Sequence, residues 1–201
     1  MQRVIITGAS AGIGAALARH YAGRGAVLGL IARRASELER LAAKLPQRAA
    51  IYPVDVRNAS AIQAAAAEFL AKHGSPDIVI ANAGISFGTA TEHAEDLAAF
   101  QDVVDTNLIG MVQTFQPFVA AMRSAGKGVL VGIASVAGYR GLPGAAAYSA
   151  SKAAVISYLE SLRVELRGSG VRVVTICPGY VATPLTQLPQ FAGWFCGESM
   201  S

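Results

Sequence analysis

The sequence predicts one doubly wound α/β domain, a parallel sheet covered by helices on both faces, and three observations predict it. Short, nearly unbroken runs of Val, Ile and Leu alternate with longer alanine-rich segments. Strands buried on both faces read as such runs, and the segments between them are crossover helices. A glycine-rich turn follows the first run. The chain has 201 residues, which suits one domain at roughly 150 residues each and suffices to bury a core without disulfides or metals.

The elements follow in order. The first strand, 2–7, runs into Gly8, and the helix 12–24 ends before Gly25. The second strand, 26–31, leads to a helix over 35–45 that stops at Pro46. The third strand spans 49–54, and its helix, 59–73, is closed by Gly74-Ser75-Pro76. The fourth strand is 77–82, followed by a long helix over 95–125 that ends at Gly126. The fifth strand, 127–134, precedes a helix over 145–168, then Gly168-Ser169-Gly170 and the sixth strand, 171–177. Right-handed crossovers arrange these elements as layers. No linker or repeat interrupts the pattern, and the alanines of 64–67 are its one low-complexity stretch.

Composition excludes several function classes. Hydrophobic residues make up 53 % and the mean hydropathy is +0.41. Yet the longest greasy stretches, such as Val27–Ala32 and Val129–Ala134, are of strand length, whereas a spanning helix needs about 20 apolar residues. No membrane association and no secretory signal are expected, and a cytoplasmic location follows. Cys177 and Cys196 make neither a disulfide framework nor a zinc site. His20, His73 and His93 lack metal-ligand spacing, so no metal is expected. The net charge is +4, but residues 1–57 carry +6 and residues 58–201 carry −2. No basic run exceeds Arg33-Arg34 and no basic stripe is interleaved with aromatics, which argues against nucleic acid and for a small anionic ligand held by the N-terminal part.

Two constellations carry chemistry. Thr7-Gly8-Ala9-Ser10-Ala11-Gly12-Ile13-Gly14 joins the first strand to the first helix. Glycines there let the backbone approach a pyrophosphate, and the helix N-terminus offers free N–H groups. The spacing is G-x-x-x-G-x-G, and a tight turn with helix-packing glycines is the structural alternative. About 20 residues beyond the glycines, where an acid would bind the ribose hydroxyl of NAD, the sequence has Arg33-Arg34. Guanidinium groups there suit a 2′-phosphate and favour NADP over NAD. The second constellation is Tyr148-Ser149-Ala150-Ser151-Lys152, whose i, i+4 spacing sets Tyr148 and Lys152 on one helix face. A phenol needs a stabilising cation to ionise near neutral pH, and a neighbouring ammonium supplies one. Alone, such a pair is equally a surface pair. Ser135 at the carboxyl end of the fifth strand and Asn82-Ala83-Gly84 at the end of the fourth lie on the edge where open α/β sheets bind ligands. Asn107 sits in an apolar helical segment, where a buried amide must find partners.

With these motifs in this order, the sequence resembles the short-chain dehydrogenase/reductase family, NAD(P)-dependent oxidoreductases of the single-domain Rossmann type, from Arg3 to about Thr186. Thr7, Gly8, Gly12, Ile13 and Gly14 match the family's T-G-x-x-x-G-x-G loop, with Ser10 inside it. Asp55 and Val56 match the adenine contact after the third strand. Asn82, Ala83 and Gly84 match the N-A-G turn, with Ala81 where a second asparagine is frequent. The resemblance puts the catalytic Asn, Ser, Tyr and Lys on Asn107, Ser135, Tyr148 and Lys152. It puts further cofactor contacts on Pro178, Gly179, Val181 and Thr183, and Arg33 looks like the NADP-preferring members. Implied are a sheet order of 3-2-1-4-5-6 and hydride transfer between NADP(H) and a carbonyl or secondary alcohol. In that chemistry Ser135 and Tyr148 hold the oxygen, Tyr148 gives the proton, Lys152 lowers its pKa and holds ribose, and Asn107 keeps a relay water. A homodimer through the helices around 99–124 and 145–168 is also implied.

The pattern departs from the family after Pro184. Seventeen residues, Leu185 to Ser201, follow, and a substrate helix and seventh strand are expected to be missing. The boundary is drawn as a dinucleotide-binding catalytic domain, 1–186, and an aromatic tail, 187–201. Three readings of the tail stand open: a shortened lid, an oligomer contact, or the product of a truncation or frameshift. Strand 171–177 then becomes an open edge, and Leu188 to Phe195 is expected to fold back over it or over the neighbouring helices. Beside the enzyme stands an alternative, a dinucleotide-binding protein with little turnover.

Overall fold

In a computed structural model, described over residues 1–47 and 49–185, six parallel strands form one sheet in the order β3-β2-β1-β4-β5-β6. They are β1 (Arg3–Thr7), β2 (Val27–Ile31), β3 (Ala50–Tyr52), β4 (Ile78–Ala81), β5 (Gly128–Ile133) and β6 (Val171–Ile176). The strand order reverses between β1 and β4, in a register that sets Ile6 against Ile80. Such a switch point opens a crevice at the carboxyl ends of the strands.

Alternation along each strand feeds two cores. Val4 and Ile6 pack with Leu28, Leu30 and Leu38 beneath α1 (Gly12–Ala22) and α2 (Ala35–Ala42). Ile5 points the other way, into a larger cluster with Phe69, Phe115, Phe118, Leu130 and Leu159. That cluster lies under α3 (Ala59–His73), α5 (Gly110–Ser124) and α6 (Ala146–Glu165). The three phenylalanines are essentially inaccessible, and each such side chain is worth roughly 1.5–3 kcal/mol of burial. Asn58 caps α3, its side chain accepting from the Ala61 amide at 3.1 Å.

Two expectations are corrected. The strand expected over 49–54 is only Ala50–Tyr52, because Pro53 has no N–H and the Val54 amide turns back to the Tyr52 carbonyl at 2.9 Å. The helix expected over 95–125 is α4 (Asp96–Val104), then a π-helical segment, Asp105–Ile109, then α5. The widened turn fits its surroundings: Asn107 points inward, and a Cβ on Gly110 would come within 2.6 Å of the Val56 side chain.

Among the described residues, β6 is the outer strand, with Val174 and Ile176 partly exposed. Arg163 of α6 covers part of that edge, donating to the Val173 carbonyl at 3.3 Å and to Thr175 Oγ1 at 3.2 Å. The cover expected from Leu188 to Phe195 lies outside the described residues. Among those described, no helix is long and apolar enough to cross a membrane.

Candidate active site

The first turn of α1 opens on the crevice, and no side chain caps it. The N–H groups at such a terminus suit an anion, and no acidic residue lies in that turn to oppose one. The loop before it is packed against the turn after β4. Thr7 Oγ1 accepts from the amides of Asn82 at 3.1 Å and Ala83 at 3.2 Å. Asn82 Nδ2 in return donates to the carbonyls of Thr7 at 3.0 Å and Gly8 at 3.3 Å. This contact dictates two of the glycines. Gly8 has φ +65° and a Cβ there would lie 2.8 Å from Ala83 Cα, while a Cβ at Gly14 would strike the Gly8 carbonyl. Gly12, φ +52°, faces Thr183 across the cleft mouth. Part of the glycine pattern therefore serves tight packing, as the structural alternative had it, and the packing holds the helix terminus open.

The cleft encloses about 380 Å³ and runs past Ser10, Gly12 and Ile13 to Arg33, Asp55 and Val56, and along Asn82, Ala83 and Gly84 to Thr183. Both arginines border it. Arg34 Nη2 reaches Ser10 Oγ at 3.3 Å, which ties the end of β2 to the glycine loop. Burial pushes the Asp55 carboxyl up, but hydrogen bonds from Arg57 and the charges of Arg57 and Arg33 outweigh this and hold it below the usual carboxylate range. Arg57 clamps Asp55 at 2.9 Å and reaches Asp102 of α4 at 2.7 Å.

Outside the cleft lining, α6 presents Tyr148 and Lys152 toward the end of β5, both almost wholly buried. Lys152 Nζ donates to the Ile133 carbonyl at 2.8 Å and lies 5.6 Å from the centre of the Tyr148 ring. Burial pulls the Lys152 ammonium down from its ordinary 10.5 to about 8, against the opposing charge of Cys177. Burial raises the Tyr148 phenol, opposed by a hydrogen bond with Ser135. Ser135 Oγ also accepts from the Ala137 amide at 3.1 Å. The wall around the Tyr148 ring is apolar, built from Ala137, Leu142, Ala145 and Leu185. Asn107 is fully inaccessible. Its Oδ1 accepts from the Ile85 amide at 2.8 Å, and its Nδ2 donates to the Ile85 carbonyl and to Ser151 Oγ, each at 3.0 Å. The costly buried amide is thus satisfied, and it ties the segment after β4 to α6 one residue from Lys152.

Not every expected residue lines the cleft. Gly14, Asn107, Ser135, Tyr148 and Lys152 are absent from its lining, as are Pro178, Gly179 and Val181 on the chain after β6. The Pro178 carbonyl instead accepts from the Val136 amide at 3.1 Å, which supports the loop carrying Ser135. Thr106 and Leu185 line the cleft, and Arg57 and Ser151 hold Asp55 and Asn107, without having been singled out from the sequence. Only Arg57, two places after Asp55, leaves a local signal. Among the described residues no group of three His, Cys, Asp or Glu suits a metal ion.

The residues present fit a dinucleotide: an uncapped helix terminus and the cations at the end of β2 border one cleft. Residues 2–190 match the family model described as short chain dehydrogenase. An oxidoreductase of Myxococcus xanthus is 40 % identical over 198 residues, covering 97 % of this chain and 78 % of that protein. The cis-4-hydroxycyclohexanecarboxylate dehydrogenase of Sinomonas cyclohexanicum is 37 % identical over 183 residues, 90 % of this chain and 74 % of its own. Among solved structures, an alcohol dehydrogenase from the archaeon Thermococcus sibiricus, complexed with 5-hydroxy-NADP, superposes with a TM-score of 0.82 at 30 % identity, over 90 % of this chain and 77 % of that one. The chain belongs to the short-chain dehydrogenase family. It is accordingly an oxidoreductase of the nicotinamide-dependent dehydrogenase or reductase kind.

Proposed function

We propose that the protein is an NADP(H)-dependent carbonyl reductase or secondary alcohol dehydrogenase, with Asn107, Ser135, Tyr148 and Lys152 as its catalytic set. The observation that carries this is the buried Tyr148, hydrogen-bonded with Ser135 and overlooked by the Lys152 ammonium 5.6 Å from its ring centre, at the same end of the sheet as a cleft bordered by an uncapped helix terminus and Arg33. The cofactor, when bound, supplies or accepts the hydride. Ser135 and Tyr148 donate hydrogen bonds to the substrate oxygen, where alkoxide charge builds during reduction. The Tyr148 O–H bond breaks as the substrate O–H bond forms, and the phenolate left behind is stabilised by Lys152. In the oxidative direction Tyr148 takes the proton back. Asn107, with both ends of its amide committed to Ile85 and Ser151, acts within that set as a positioning residue one place from Lys152, in place of the side-chain hold on a relay water that the resemblance implied.

Preference for NADP rests on Arg33 and Arg34 at the ribose end of the cleft, where a 2′-phosphate gains charge-assisted hydrogen bonds. Gly8, Ser10, Gly12, Ile13 and Gly14 would carry the pyrophosphate, Asp55 and Val56 the adenine, and Thr183 the nicotinamide end. We also assign a two-fold dimer through the outer faces of α4, α5 and α6, where Leu97 of α4, Ile109 of the π-helical segment before α5 and Val164 of α6 are exposed. Scarce cysteine supports a cytoplasmic setting. Substitution Tyr148→Phe tests the chemistry: NADPH oxidation by a panel of ketones and aldehydes should be abolished while NADPH affinity stays within about threefold. Appreciable residual activity would show that another group supplies the proton. A wild type that binds NADPH and reduces nothing would favour a dinucleotide-binding protein.

A further inference from the structure

We infer that Ser151 is a positioning residue for the reaction: its hydroxyl fixes the Asn107 amide and so holds the turn after β4 against the turn of α6 that carries Tyr148 and Lys152. This rests on the reading of those two residues as catalytic. Ser151 lies between them in the sequence and is 1 % exposed. A hydroxyl has one proton to give and lone pairs to offer. The proton goes to the Tyr148 carbonyl at 2.8 Å, so only a donor can sit on its other side, and Asn107 Nδ2 does so at 3.0 Å. The far end of the amide is set by backbone, with Oδ1 accepting from the Ile85 N–H at 2.8 Å and Nδ2 donating to the Ile85 carbonyl at 3.0 Å. Asn107 is left a single orientation. Of these partners, Ser151 is the one that belongs to α6.

What the tie holds is a wall of the cleft. Gly84 and Ile85 line the cleft, and a Cβ on Gly84 would lie 3.2 Å from Asn107 Oδ1 and 3.7 Å from Lys152 Nζ. Cleft wall, amide and ammonium are thus packed together. The Ile133 carbonyl holds Lys152 from the β5 side, and the Ser151 bond holds the same turn of α6 from the β4 side. Removing the hydroxyl strands one Nδ2 proton of an inaccessible amide, a cost that the amide relieves by shifting. The Tyr148 carbonyl, by contrast, keeps its place in the α6 ladder. The consequence falls on how the cleft wall meets Tyr148 and Lys152, and a misplacement of about 1 Å at reacting groups can lower a rate about a hundredfold.

Two substitutions separate this role from a packing one. Ser151→Ala removes the hydroxyl, whereas Ser151→Thr keeps it, because a helical threonine can bond the carbonyl three or four residues back as Ser151 does. NADPH oxidation is followed with whichever ketone or aldehyde the wild type reduces fastest, beside a fluorescence titration of NADPH. In Ser151→Ala, kcat should fall about ten- to hundredfold while KM and Kd for NADPH stay within about threefold. In Ser151→Thr, kcat should stay within about threefold of wild type. An unchanged kcat in Ser151→Ala would overturn the inference. So would a Ser151→Thr variant as slow as Ser151→Ala, or a Ser151→Ala variant that fails to fold or whose NADPH affinity falls along with kcat, since each points to packing. A wild type that binds NADPH and reduces nothing would overturn instead the reading of Tyr148 and Lys152 as catalytic, an outcome distinct from an active wild type indifferent to the Ser151 hydroxyl.

Discussion

Burial of an ammonium is expensive, and Lys152 makes the expense measurable. Its side chain is 4 % exposed, and its pKa falls from 10.5 to about 8, chiefly through desolvation. At about 1.36 kcal/mol per unit, keeping this group charged costs the folded state about 3 kcal/mol at pH 7. Below about pH 8 both folded and unfolded chains carry the proton, and the whole cost is present. Between about 8 and 10.5 the unfolded chain holds more protons than the folded one, so stability from this group rises with pH across that window. Substitution Lys152→Met keeps an unbranched side chain and removes the charge. Urea unfolding of wild type and variant at pH 7 and pH 10 should show the variant's relative stability declining by about 2–3 kcal/mol as the pH rises. The bond to Ile133 is lost at both pH values and cancels in the comparison. Tyr148 does not intrude, because burial holds its phenol above the ordinary 10. A difference between the two proteins that stays constant with pH would refute the desolvated lysine.

Two further outcomes are expected. Arg33→Ala should weaken NADPH by about ten- to hundredfold and NADH by less than threefold in fluorescence titration, because only NADPH offers the phosphate; equal losses would remove the NADP assignment. Light scattering at micromolar concentration should give twice the chain mass, and a monomer would contradict the dimer through α4, α5 and α6.

Much of the site was legible because its signals are local. The apolar runs fix which segments become strands, and the alternation of Val4, Ile5 and Ile6 feeds both faces of the sheet whichever strands flank them. Thr7 to Gly14 announces a strand-to-helix turn, and four residues of spacing suffice to put Tyr148 and Lys152 on one face of α6. Each inference needs a window no longer than a few turns. The sheet order and the catalytic roles came instead through resemblance to a family, which carries tertiary information that no window of this chain contains.

Other features were decided by packing alone. Asn82 looked like a ligand contact, and its amide braces Thr7 and Gly8 some seventy residues away in the chain. A smooth apolar helix was expected where a π-helical turn occurs, because periodicity cannot register a widened turn set by Asn107 meeting Ile85 and Ser151. The same turn leaves the buried Thr106 hydroxyl without a partner among the described residues. Arg57 owes its grip on Asp102 to the turn before α3 coming up beside α4. Arg163 likewise finds the β6 edge because α6 folds back along it. Which residues form strands and helices is set by short-range sterics and by which faces are apolar. Which polar groups find one another is set by how those elements dock, and docking depends on the whole core at once.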